Sequence, residues 1–96
     1  MVIRYIRKKT PVEKKFKKGE ARPEPVGMVV AFDSSHIGWS LCNSVDRWDR
    51  ERAFLIAEGR AWSQKRSSLN GKMPHTVVPF VDWARRVMEA KERKVV

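Results

Sequence analysis

The sequence predicts an α+β domain: a small antiparallel sheet of about three strands packed on one helix, with a second, C-terminal amphipathic helix. Three observations carry this. A continuous apolar run, VGMVVAF, is followed by polar turn residues and by the alternating segment IGWSLC, the pattern of a hairpin. Acids at 46 and 49 then precede a run with alanines at helical spacing. Phe80, Trp83, Ala84, Val87, Met88 and Lys91 follow an i, i+3, i+4, i+7, i+8 pattern, which places one apolar stripe along a helix.

Val2, Ile3, Tyr5 and Ile6 mix apolar with basic groups over a short run, as a charged edge strand does. The following segment, 10–25, holds three prolines, one glycine and many charges. It reads as a basic loop or mobile arm outside the core. Residues 26–32 are apolar throughout and predict a central strand. Asp33, Ser34, Ser35 and His36 are turn residues, whose short polar side chains bond their own backbone. In the return strand, 37–42, Ile37, Trp39 and Leu41 alternate with Gly38, Ser40 and Cys42. One face is therefore bulky and the other small, which allows close approach of a packed element.

Ser44, Asp46 and Asp49 are each suited to cap a helix over 49–66. Ala53, Phe54, Ala57 and Ala61 lie on one side of it, with Trp62 beside them. Ala57, Gly59 and Ala61 predict a tight contact with the sheet. Residues 67–74 form a second loop around Asn70-Gly71. His75 to Val78 suit a short strand or an extended entry, and Pro79 suits the first turn of a helix over 79–94 that closes an edge or end of the sheet.

Ninety-six residues make one domain, 1–96. With one cysteine, Cys42, no internal disulfide forms, which favours a reducing, cytoplasmic setting. No apolar stretch reaches the length of a membrane span, and no apolar leader core follows Met1. Lys and Arg total 21 against 11 Asp and Glu, a formal charge of +10. Residues 1–25 hold nine of the cations and three of the acids. Such a field attracts polyanions, an acidic protein partner being the competing reading.

Catalytic chemistry has no signature here. Cys42 lies within an apolar strand, where a lone cysteine is a small hydrophobe. Asp33 and His36 straddle a turn, and Asp46, Asp49 and Glu51 read as helix-start acids rather than metal ligands. No Walker loop, GxGxxG, HExxH or Cys/His zinc spacing occurs. The expectation is therefore a non-enzyme with neither cofactor nor metal.

The segment 38–61 resembles a recurring pattern in small bacteriophage and prophage proteins. Gly38, Trp39, Ser40, Leu41, Cys42, Asp46, Trp48, Ile56, Ala57, Gly59, Arg60 and Ala61 carry the likeness. It spans a quarter of the chain and implies a phage-type accessory origin, with nucleic-acid binding or takeover of a host machine as the usual roles.

Two functions follow. In the first, Lys8, Lys9, Lys14, Lys15, Lys17 and Lys18, with Arg50, Arg52 and Arg60, contact phosphates of DNA or RNA with little sequence preference. Phe16 or Trp48 would stack on unpaired bases. In the second, the protein is an anti-defence inhibitor of a host polymerase, nuclease or CRISPR effector. Trp48, Trp62 and Trp83 would then anchor it to a host protein or nucleoprotein complex. Free sheet edges leave a homodimer open.

Overall fold

A computed structural model describes residues 1–42, 47–63 and 73–93. Three strands, β1 (Val2–Arg7), β2 (Pro25–Asp33) and β3 (His36–Leu41), form an antiparallel sheet in the order β1-β2-β3. Two helices follow, α1 (Arg50–Ser63) and α2 (Val78–Arg93). The α+β arrangement is the one the hydrophobic patterning predicts.

The sheet is covered on both faces. Met28 and Val30 of β2 pack with Ala53 and Ala57 of α1, flanked by Tyr5, Phe32, Trp48 and Phe54. Val29 and Ala31 point the other way, into a cluster with Ile6, Ile37, Phe80, Val81, Ala84 and Met88. Residues 28–31 are consequently 0–1% exposed, and a strand buried on both sides has no polar face to show. The C-terminal helix was expected to close an edge or end of the sheet. It lies across the second face instead, because Val29 and Ala31 present that face with apolar area that needs a cover.

The small face of β3 does what its composition predicts. A Cβ at Gly38 would collide with the backbone of Ala57 and Ala61, so α1 sits directly on the strand. Gly59 takes no part in this contact. It is exposed, with open space where its side chain would stand. Ile37, Trp39 and Leu41 face the α2 cluster.

Asp49 caps α1, its Oδ1 accepting from the Arg52 amide at 3.2 Å. The other expected caps, Ser44 and Asp46, lie outside the described residues, as do 64–72 and 94–96. His75 to Val77 form a turn rather than a strand, closed by the Val77 amide donating to the Pro74 carbonyl at 2.9 Å. Pro79 falls in the first turn of α2, where its missing N–H leaves no bond unmade.

The 10–25 segment is a loop that is partly tied down. Val12 is 6% exposed and belongs to the α2-side core, a contribution its charged surroundings conceal. Arg4 donates to the Lys14 carbonyl at 3.1 Å and Arg7 to the Pro23 carbonyl at 2.6 Å. Both ends of the loop are thereby held against β1.

Candidate nucleic-acid interface

The outer edge of β1 carries the densest set of cations. Phe16, half-buried, has Arg7, Lys14 and Arg22 over its ring, at 5.7, 5.6 and 5.5 Å from the centre. Arg7 also lies 5.4 Å from the Tyr5 ring, and Arg4 rests on Trp83 at 5.1 Å. Ring faces carry negative electrostatic potential, so each cation is oriented without being neutralised. Lys15, Thr10 and Pro11 complete the walls of a cleft here.

Acids offset this charge only in part. Glu20 pairs with Lys14 at 3.0 Å and accepts from the Lys17 amide at 3.0 Å. The Lys17 amide, then the Lys14 ammonium, hold its carboxyl below the usual carboxylate range. Glu13 reaches Arg86 at 3.9 Å. Among the described residues, Arg4, Arg7 and Arg22 have no carboxylate within ion-pair distance.

The lysines named from sequence divide. Lys14 and Lys15 line the cleft. Lys8 and Lys9 are exposed at the turn that leaves β1, with Lys9 in the left-handed region at φ 52°. Lys17 and Lys18 are exposed farther along the loop. Arg50 and Arg52 are exposed at the start of α1, beside Arg47, Trp48 and Glu51. Arg60 is engaged elsewhere: it stacks on Trp39 at 4.3 Å and donates to the Trp39 carbonyl at 2.9 Å. Arg4, Arg7, Arg22 and Tyr5 were not among the residues singled out. The signal that could have found them is the basic-aromatic alternation in RYIR, read as an edge rather than as strand filler.

Phe16 is less available for base stacking than its place in a basic run suggests, because cations already lie over it. The tryptophans also differ. Trp48 is half-buried, edge-on to Tyr5 at 6.1 Å and 83°. Trp83 is half-buried against the α2-side core. Trp62 is 57% exposed and stacks with Phe32 at 4.7 Å and His36 at 4.6 Å.

A small cavity opens at the start of α1, between Ser40, Leu41, Cys42, Trp48, Arg52 and Ile56. The Ser40 hydroxyl is the one buried side-chain polar atom without a partner among the described residues. Among those residues, no three His, Cys, Asp or Glu side chains gather as a metal-holding group. No helix there is long and apolar enough to cross a membrane.

Searches against protein-family models, curated proteins and solved structures find no match to this chain.

Proposed function

We propose that this protein binds nucleic acid, DNA or RNA, largely through contacts to phosphate. The observation that supports it most is the cluster of Arg4, Arg7, Lys14, Lys15 and Arg22 around Phe16. Its three arginines are oriented by rings, and among the described residues none has a carboxylate within ion-pair distance. Lys8, Lys9, Lys17 and Lys18 extend the field along the same loop, and Arg50 and Arg52 add to it from α1. On this reading the protein is a phage-type accessory factor acting in the host cytoplasm, without catalysis of its own.

Fluorescence anisotropy with labelled oligonucleotides over a salt series tests it. A plot of log K against log salt is expected to fall with a slope of roughly −3 to −6, several phosphates' worth. Absent binding at low salt, or a flat salt dependence, would sink the proposal.

A second reading, docking on a host nucleic-acid machine, draws on Trp62. It stands exposed at the hairpin end of the sheet, opposite the cations, with Phe32 and His36 beneath it. Trp62→Ala should then abolish capture of a host complex while oligonucleotide affinity is unchanged.

A further inference from the structure

We infer that the ligand is single-stranded nucleic acid, and that it follows one ribbon of side chains from Phe16 over Arg7 and Tyr5 to Trp48 and the start of α1. The inference rests on the nucleic-acid reading above and narrows it.

The ribbon is continuous. Arg7 is 5.7 Å from the Phe16 ring and 5.4 Å from the Tyr5 ring, and Tyr5 is 6.1 Å from Trp48. Trp48 adjoins Arg47, Arg50 and Arg52. Two cationic regions far apart in sequence, the 10–25 loop and the first turn of α1, are thus joined by three rings, with the Arg7 guanidinium between the first two. The acids along the way are few. Glu20 pairs with Lys14, Asp49 accepts the Arg52 amide, and Glu51 is exposed at the far end.

The geometry selects against a duplex. Arg7 is half-buried, close to two rings and tethered to the Pro23 carbonyl, so its guanidinium is held against its neighbours instead of projecting. The ribbon also turns a corner, leaving the edge of β1 for the α1 side of the sheet. A stiff double helix needs projecting cations spaced along a straight phosphate row, and its bases are already stacked on each other. A single strand can bend with the groove, place phosphates against Arg7 and Arg52, and lay unstacked bases on guanidinium or ring surfaces.

A thymidine oligonucleotide and a duplex of the same length are compared by anisotropy at one salt concentration, with wild-type protein and with Arg7→Gln and Arg7→Lys. The single strand should bind roughly tenfold tighter than the duplex, each stacked base contributing substantially. Arg7→Lys should keep most of the duplex affinity and lose most of that preference, since lysine restores the charge but not the planar stack. In parallel, a strand bearing 5-bromodeoxyuridine should photocross-link to Tyr5, Phe16 or Trp48. Equal affinity for duplex and single strand, or cross-links confined to Trp62 or Trp83, would overturn the ribbon while leaving nucleic-acid binding intact. Absence of binding to either form would remove both readings together.

Discussion

Arg60 and Trp39 hold each other across the edge of the sheet. The guanidinium lies 4.3 Å from the indole centre and donates to the Trp39 carbonyl at 2.9 Å. The Cys42 amide donates to the Val26 carbonyl at 2.6 Å, and Val29 is paired with Trp39. By the alternation of antiparallel ladders, Trp39 turns its backbone groups outward. Arg60 therefore occupies an acceptor that a second strand would need.

Arg60→Gln should destabilise the fold by about 1 kcal/mol, from the lost cation–π contact and weakened hydrogen bond. It should also raise the tendency to self-associate. Thermal unfolding and light scattering check the two effects. Oligonucleotide affinity should change little, since the native side chain is already committed to the edge.

Gly38→Ala should be among the most damaging substitutions in the sheet. Its methyl group would overlap the Ala57 carbonyl and the Ala61 amide. Backbone cannot rotate aside as a side chain can, so the helix must move off the strand at a cost of about 3 kcal/mol. Urea denaturation measures it, with the exposed Gly59→Ala as the contrast. The latter should stabilise α1 by up to about 1 kcal/mol, as alanine does in an exposed helix.

Ser40→Ala is expected to be neutral or stabilising by about 1 kcal/mol. The hydroxyl is buried without a partner, and removing it relieves a desolvation cost rather than breaking a bond. A fall of more than about 1 kcal/mol in urea melts would mean that the hydroxyl does form a bond in solution.

The hairpin turn sets an acid limit on stability. His36 Nδ1 lies 2.8 Å from both oxygens of Asp33. That hydrogen bond, aided by the Ser35 amide and opposed by desolvation, holds the Asp33 carboxyl below its usual value. A depressed carboxylate contributes stability above its unfolded pKa of about 3.9, and the contribution is lost as pH falls through the folded value. Thermal melts should show this loss below about pH 4, with a shallower fall in Asp33→Asn. An unchanged acid limb in that variant would assign the loss to other carboxylates.

Much of the fold was legible because each element carries its own period. The apolar run at 26–32, the alternation at 37–42 and the heptad-like stripe of the last helix all report burial directly. The side on which each helix settles was not legible. Val29 and Ala31 look the same in sequence as Met28 and Val30, so nothing local says that both faces are covered. Val12 was hidden for a related reason: one apolar residue among prolines and lysines has no periodicity to betray it. At the site, charge composition pointed to the 10–25 loop, where Lys14, Lys15 and Phe16 do meet. The contributions of Arg4, Arg7 and Arg22 depend on the hairpin-like return of the chain beside β1. The seat of Arg60 on Trp39 was not legible, because a helix-surface arginine and an edge-capping arginine share one local sequence.

The helix that covers the second face is also the last of these elements to be made. Ser34 in the hairpin turn donates its amide and hydroxyl to Glu92, 58 residues onward, at 3.0 and 2.8 Å. Because α2 follows all three strands and α1 in the chain, the hairpin and α1 can form before α2 docks. Until then Val29, Ala31 and Ile37 face water. That interval is when a chaperone would find this chain most adhesive, and the Ser34–Glu92 bond is among the contacts that close it.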